Sequence, residues 1–109
     1  MAVYVNEWGS AMLYVVLFED DASRAAMRTA HMPDHLMFLE RNAGAIQAGG
    51  PLIDAGDGAP AGGLWLAEAD SAEQVRALYE ADPFWPTGLR KSVRVLQWKQ
   101  VFADGKRLL

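Results

Sequence analysis

His35 is the residue of this chain best suited to acid–base chemistry. Histidine changes its charge near neutral pH, so its ring can take or give a proton there. Asp82 closes the second predicted helix. A carboxylate bound to one ring nitrogen would fix the tautomer and raise the basicity of the other nitrogen. The sequence therefore predicts a catalytic His35–Asp82 pair that removes a proton from a hydroxyl group or a carbon.

A purely structural interpretation of the same two residues is open as well. An apolar stripe is predicted along the first helix, formed by Met32, Leu36, Leu39 and Ala43. Because His35 stands beside this stripe, its ring could simply border the core. Asp82 could likewise be a polar helix end before Pro83 and no more.

Neither a metal nor a cofactor is predicted. The absence of cysteine excludes zinc–thiolate sites, iron–sulfur clusters and cysteine nucleophiles. His31 and His35 have the spacing that lets two histidines share a metal, but Pro33 disturbs the helix between them and no general-base glutamate separates them. The glycine pairs at 49–50 and 62–63 fit neither the P-loop nor the dinucleotide-binding pattern.

Four residues are candidates for substrate binding: Gly50, Pro51, Phe84 and Trp85. The two aromatic residues closely follow Asp82 and could line an apolar pocket, although large aromatic side chains also build cores. Glycine at position 50 is expected to permit a bulge or a close backbone approach, with ligand binding by its backbone N–H as the alternative. A small basic spot, formed by Arg90, Lys91 and Arg94, is expected to be a solvated edge, with attraction of an anionic substrate as the alternative.

The elements that must position these residues follow the order β-α-β-β-α-β. Strands are predicted over residues 12–18, 45–53, 64–69 and 93–102. The first helix falls within residues 23–42, with a break near Met32 that places Pro33 in the first turn of the main part. Residues 54–63 form a glycine-rich loop, and Ser71 with Gln74 predicts a capping box at the start of the second helix. Pro51 must lie at a sheet edge or a bulge.

This order predicts an α+β fold of the ferredoxin-like type, with a four-stranded antiparallel sheet and two helices on one face. The other face would be left bare, yet the first and last strands carry many large apolar residues. A second copy stacked on that face would form a large apolar interface. We therefore expect a homodimer with the sheets face to face.

Several segments resemble the YCII-related (YciI-like) family of small dimeric α+β-barrel proteins. These segments are MLYVVLFEDD, HLMFLERNAGAIQAGGPLID, GGLWLAEADSAEQVRALYEADPFWPTGL and SVRVLQW. The most specific pieces are the helix histidine followed by the GPL turn, and the ADPF segment followed by TG. In that family the histidine and the DP aspartate are the proposed active-site pair, so the resemblance implies those roles for His35 and Asp82. The chain departs from the family in that Arg28 stands further before the histidine than the usual arginine.

The resemblance implies a small cofactor-independent enzyme, since one branch of the family resembles a dehydrochlorinase that acts on a chlorinated hydroxyquinol. Together with the predicted pair, it suggests a lyase or isomerase that moves protons on a small cyclic or aromatic compound. The alternative is a non-catalytic small-molecule-binding or accessory module, a role that the same fold can also serve.

Length and charge narrow the range of partners. The chain has 109 residues, a formal net charge of −4 and 51 % hydrophobic residues, as expected for one globular domain. No basic cluster is long enough to follow nucleic-acid phosphates, and no apolar run approaches the roughly 20 residues that cross a bilayer. We expect a cytoplasmic protein whose partners are a small molecule and a second copy. The predicted division is an extension at 1–11, the domain at 12–102 and a tail at 103–109.

Overall fold

The computed structural model describes residues 12–109, so the predicted extension at 1–11 lies outside the described residues. The main elements are β1 (Met12–Asp20), α1 (Ala26–Arg41), β2 (Ile46–Ile53), β3 (Pro60–Ala69), α2 (Ala72–Glu80) and β4 (Arg90–Gln97). The strands pair in the order β2-β3-β1-β4, and all neighbours are antiparallel. The predicted ferredoxin-like α+β fold is confirmed.

The core lies between the two helices and one face of the sheet. Alternation along β1 directs every second side chain toward this face. The buried cluster consists of Tyr14, Val16, Phe18, Phe38, Ile46, Trp65, Ala67 and Val75. Its largest fully buried member, Trp65, packs edge-to-face on Phe18 with 5.1 Å between ring centroids. Burying each large apolar side chain contributes about 1.5–3 kcal/mol, so this cluster holds both helices on the sheet.

Helix α1 is continuous, so the predicted break near Met32 is wrong. Pro33 lies inside the helix and removes the backbone hydrogen bond to the carbonyl of Thr29. Both residues are exposed, so solvent can satisfy that carbonyl. On the other side of the helix, the burial of His35 and Phe38 keeps the chain helical across the proline.

The predicted apolar stripe on α1 is only partly right, because Leu39 packs against the core but Leu36 does not. Leu36 is 50 % exposed, whereas the buried residues of the helix are His35 and Phe38. Hydrophobic periodicity could not find this face because one of its two buried positions is a polar histidine. His35 therefore lies on the buried face of the helix and not at the border of the core.

Strand β2 lies at an edge of the sheet, as Pro51 predicts. Pro51 pairs with Gly63 of β3, and the register shifts between Ile46 and Ala48 and again after Pro51. Strand β3 begins at Pro60 and not at residue 64, so the loop between the two strands is shorter than predicted. The two glycines at 62–63 consequently belong to a strand.

Helix α2 begins with the predicted capping box. The hydroxyl of Ser71 accepts a hydrogen bond from the backbone N–H of Gln74 at 3.3 Å. The side chain of Gln74 reaches back and accepts one from the backbone N–H of Asp70 at 2.9 Å. The helix ends at Glu80, and the chain then enters a short 3-10 helix, Trp85–Thr87. Asp82 therefore lies between the end of α2 and the start of the 3-10 helix.

Strand β4 both begins and ends earlier than the predicted strand at 93–102. Positive φ angles of 53° at Asp104 and 75° at Gly105 form a turn, which suits the twist of a tight hairpin. Phe102–Ala103 (β5) therefore pairs with Lys106–Arg107 (β6) in a separate hairpin instead of extending β4. Within residues 12–109, no helix has the length and apolar character needed to cross a membrane.

Candidate active site

The fold brings His35 of α1 against Asp82, which follows α2. The Nδ1 atom of His35 lies 2.8 Å from Oδ1 of Asp82, across 47 positions in sequence. Both residues are buried, with 7 % and 3 % of their surface exposed. A carboxylate can only accept, so Nδ1 carries the proton of this hydrogen bond and Nε2 keeps its lone pair. The arrangement can therefore take up a proton at Nε2.

The carboxylate of Asp82 is held by the turn that follows α2. Its Oδ1 atom also accepts a hydrogen bond from the backbone N–H of Phe84 at 3.0 Å. The backbone carbonyl of Asp82 accepts another from the N–H of Trp85 at 2.8 Å. Pro83 has no N–H to continue the helix, which favours this turn. The backbone therefore fixes the orientation of the acceptor that His35 meets.

Phe84 fixes the plane of the His35 ring. The two rings are stacked, with 4.0 Å between centroids and 16° between planes, and Phe84 is fully buried. The hydroxyl of Thr87 donates to the carbonyl of Phe84 at 2.6 Å and accepts from the N–H of Leu89 at 3.1 Å. Since this turn is held by its own hydrogen bonds, the imidazole has little freedom to rotate.

A cavity of about 650 Å³ lies at the end of β1 and next to the β2–β3 connection, and neither His35 nor Asp82 is part of its wall. Its volume is within the range of small-molecule sites. The apolar part of its wall includes Pro51, Leu52, Pro60 and Leu89, and the charged part includes Glu19, Asp20, Asp21 and Arg28. Arg28 connects the cavity to the pair, since its guanidinium carbon lies 5.7 Å from the centroid of the Phe84 ring.

The four predicted substrate-binding residues occupy different places. Pro51 lines the cavity, and Phe84 contacts His35. Trp85 instead packs on Tyr79 of α2, with 5.0 Å between ring centroids. Gly50 is exposed on the edge strand, and a Cβ atom there would meet no heavy atom within 4 Å. Phe84 is thus the candidate that the fold brings directly to the pair.

Three charged residues that the sequence did not predict to meet lie at the cavity wall and against the Phe84 ring. Asp20 binds Arg28 through Oδ2, and it binds Arg90 through Oδ1 at 2.9 Å. We refer to these three residues as the arginine–aspartate cluster. Arg90 does not lie at a solvated edge, because only 4 % of its side chain is exposed. Lys91 does lie there, with 63 % of its side chain exposed.

A metal site was not expected at His31 and His35. Among the described residues, no group of three or more histidine, aspartate or glutamate side chains is placed to hold a metal ion. In addition, the Nδ1 atom of His35 is engaged by Asp82.

The fold is that of a small α+β domain in which a buried histidine is hydrogen-bonded to a buried aspartate. The sequence matches the YCII-related domain over residues 12–99, and the chain belongs to that family. Two curated relatives, the Protein YciI of Escherichia coli O6:H1 and that of Shigella flexneri, are each 33 % identical over 98 residues. Each alignment covers 84 % of this chain and 100 % of the relative.

Solved structures show the same fold. One of them is the 5-chloro-2-hydroxyhydroquinone dehydrochlorinase TftG of Burkholderia phenoliruptrix AC1100, solved in complex with 2,5-dihydroxybenzoquinone. It is 33 % identical in sequence to this chain, and the two structures superpose with a TM-score of 0.71. The match covers 81 % of this chain and 94 % of TftG. A putative antibiotic biosynthesis monooxygenase of Bacteriodes thetaiotaomicron has 9 % identity and a TM-score of 0.52, covering 89 % and 95 %. At that identity the second similarity concerns the fold alone.

Proposed function

We propose that this protein is a small cofactor-independent enzyme that removes hydrogen chloride from a chlorinated hydroxyquinol, using His35 as the base and Asp82 as its partner. The observation that carries the proposal is the buried hydrogen bond of 2.8 Å between Nδ1 of His35 and the carboxylate of Asp82. The similarity to the dehydrochlorinase TftG, at 33 % identity over most of both chains, supports the choice of reaction.

The geometry of the pair suits a base that must take a proton and return it. When Nε2 takes a proton, the ring becomes positively charged, and the Asp82 carboxylate at 2.8 Å stabilises that charge. Both groups are nearly excluded from water, so this attraction is screened less than it would be at a surface. The stacked Phe84 ring keeps the imidazole in one orientation through the cycle.

Loss of hydrogen chloride from a chlorinated trihydroxybenzene can proceed with His35 as the proton carrier. Nε2 takes the proton of one ring hydroxyl, and a proton is delivered to the carbon that bears chlorine. A second hydroxyl then loses its proton while the C–Cl bond breaks, and the bonding electron pair leaves with chloride. The products are a hydroxyquinone, a chloride ion and one proton, so atoms and electrons balance without an external oxidant.

Chloride release is the direct test of this proposal. The full chain is incubated without oxygen with 5-chloro-2-hydroxyhydroquinone, the substrate in the name of TftG. Ion chromatography is expected to detect one chloride per molecule converted, together with the absorbance of the hydroxyquinone. Saturable binding of this compound without chloride release would contradict the proposal and favour the non-catalytic binding module.

We also propose that the helix-free face of the sheet is covered by a second copy of the chain. Register pairs across the sheet place Val15 opposite both Leu66 and Leu96, and Leu17 opposite Leu64, on this face. Leu96 is 41 % exposed, and the other four are half-buried. A contiguous apolar patch of this kind is typical of an interaction surface.

Sedimentation equilibrium is expected to give about twice the 11.9 kDa mass of one chain at micromolar concentration. Leu96→Glu should weaken the dimer, because the carboxylate would be buried in an apolar interface without a partner. Leu36→Glu is the matched control, since Leu36 lies on α1 and is 50 % exposed, against 41 % for Leu96. A monomeric wild-type protein, or equal effects of the two substitutions, would contradict this interface.

A further inference from the structure

Arg90 carries a buried charge close to the His35–Asp82 pair. Only 4 % of its side chain is exposed, and its guanidinium carbon lies 5.3 Å from the centroid of the Phe84 ring. That ring in turn stacks on the imidazole of His35, with 4.0 Å between centroids. The imidazole is therefore within roughly 10 Å of the guanidinium, about one Debye length in dilute salt, and buried charges are screened even less. The charge of Arg90 consequently acts on the His35 ring.

Two carboxylates share the charge of Arg90. Oδ1 of Asp20 accepts a hydrogen bond from its Nη1 atom at 2.9 Å, and the charge of Asp82 attracts it at longer range. Burial has the largest effect and lowers the pKa of this guanidinium, while the two carboxylates oppose that shift. Arginine nevertheless keeps its proton in proteins. Part of the charge of Asp82 is therefore balanced by Arg90 and not by His35.

The charges that meet here balance when His35 is neutral. Asp20 divides its two oxygens between Arg28 and Arg90, and Asp82 accepts the hydrogen bond from Nδ1 of His35. Within the described part of the chain, the arginine–aspartate cluster and Asp82 thus place two positive charges against two negative ones. A proton added at Nε2 would leave one positive charge in excess, on a residue that is only 7 % exposed. Burying an unbalanced charge is costly.

Other charged groups flank the pair and the cluster in sequence, and all of them are exposed or half-buried. They are Glu19 and Asp21 at the end of β1, His31 and Asp34 on α1, Glu80 on α2 and Lys91 on β4. Water and salt strongly screen charges at the surface. The arginine–aspartate cluster and Asp82 therefore dominate the field at the His35 ring.

We infer that Arg90 is a positioning residue: its buried charge, acting across Phe84 and Asp82, keeps the imidazole of His35 in the neutral form that can accept a proton. The inference rests on the proposed function, in which His35 is the base. Without Arg90, the arginine–aspartate cluster would be reduced to a neutral pair, and the undivided charge of Asp82 would favour a second proton on His35. A doubly protonated ring has no lone pair for a substrate hydroxyl.

Nitrogen-15 NMR of the histidine rings in the full chain tests the inference, because it distinguishes charged from neutral imidazole without any substrate. His31→Asn identifies which signals belong to His35, since the chain has two histidines. Arg90→Met keeps an unbranched apolar stem beside Phe18 and Phe84 but removes the charge. At neutral pH it should raise the ratio of charged to neutral His35 about tenfold, as expected for the loss of one charge at this distance.

Asp20→Asn should change the same ratio in the opposite direction, lowering it about threefold. It removes a negative charge from the cluster, while the asparagine oxygen still accepts a hydrogen bond from an arginine. The change is smaller because the side chain of Asp20 is 19 % exposed. Opposite directions separate an electrostatic role of Arg90 from a structural one, since loosened packing would move the ratio the same way in both variants.

Lys91→Met is the matched control, because it removes one positive charge from the adjacent but exposed position. It should leave the ratio within about twofold of wild type, and Arg90→Lys, which keeps the charge, should do the same. The inference is overturned if folded Arg90→Met has the wild-type ratio, or if Lys91→Met raises the ratio as much as Arg90→Met. Where Arg90→Met does not fold, Asp20→Asn decides: a lower ratio supports the inference, and an unchanged or higher ratio overturns it.

The inference and the proposed function can fail separately. Chloride release by a protein whose His35 ratio does not depend on Arg90 would leave the enzyme proposal standing and remove the role of Arg90. A ratio that depends on Arg90, in a protein that releases no chloride, would support the control of His35 and contradict the dehydrochlorinase. If both hold, Arg90→Met should slow chloride release more at pH 6 than at pH 8, because the ring loses its second proton as the pH rises.

Discussion

His35→Asn is expected to lower the rate of chloride release by a factor of about 10² to 10⁴, the range that a positioned acid–base group contributes. Asparagine can still donate an amide hydrogen toward Asp82, which limits the cost of leaving that buried carboxylate unpaired. It has no basic nitrogen, so it cannot take the proton of the ring hydroxyl. The measurement is the initial rate of chloride release, with circular dichroism to establish that the variant is folded.

His31→Asn is the matched control for this prediction. His31 is the other histidine of the chain and lies one helical turn before His35 on α1. Its substitution should change the rate by less than about twofold. Equal losses in the two variants, or an unchanged rate in a folded His35→Asn protein, would show that His35 is not the base.

Asp82→Asn should cause a smaller loss than His35→Asn. An asparagine oxygen can still accept from Nδ1 of His35 and from the N–H of Phe84, so the turn is retained. The negative charge that stabilises the protonated ring is lost, and a hydrogen bond to a charged group contributes about 1.5–3 kcal/mol, or roughly 10- to 100-fold in rate. A loss as large as that of His35→Asn would indicate that Asp82 does more than position and stabilise the ring.

The order of the elements was predictable because local signals mark it. The capping box of Ser71 and Gln74, the edge-strand requirement of Pro51 and the apolar run of β1 each act over a few residues. His35 and Asp82 were found from residue chemistry and family resemblance, and their meeting follows from the placement of the two helices on one sheet face. The correct predictions thus depend either on a few neighbouring residues or on the order of the strands and helices.

Arg90 shows why the arginine–aspartate cluster could not be predicted from the sequence. An arginine between a turn and a strand is predicted to be exposed, since arginine is rarely buried without a partner. Its partner Asp20 is 70 positions away in sequence, and its burial depends on Phe18 and Phe84 from two further segments. The contacts that bury Arg90 form only after β1 and β4 pair, so no local pattern could report them.

The face of α1 was mispredicted for a related reason. Periodicity assigns apolar residues to the buried side, but the tertiary structure buries His35 and leaves Leu36 half exposed. The cost of burying the imidazole is offset by its hydrogen bond to Asp82 and its stacking on Phe84. On this helix the contacts of one buried histidine therefore override the apolar pattern.

Gly62→Ala is expected to lower the free energy of unfolding by about 3–5 kcal/mol, a large part of the 5–15 kcal/mol typical of a domain. Gly62 has a φ angle of 91°, which side-chain-bearing residues rarely adopt. A Cβ atom there would lie 1.9 Å from the carbonyl oxygen of Phe18, so β1 and β3 would have to separate. Urea unfolding followed by tryptophan fluorescence measures the change, since the buried Trp65 lies in the same sheet.

Gly50→Ala is the matched control, because Gly50 lies in the adjacent strand β2 and pairs with Leu64 of β3. A Cβ atom at Gly50 would meet nothing within 4 Å, so alanine should change the stability by less than about 1 kcal/mol. Gly62 also lines the cavity, so the strained backbone and the close approach of β3 to β1 shape the wall against which a ligand would lie. If the Gly62→Ala protein is as stable as the Gly50→Ala protein, β3 does not approach β1 as closely as described. The cavity wall at Gly62 would then have a different shape.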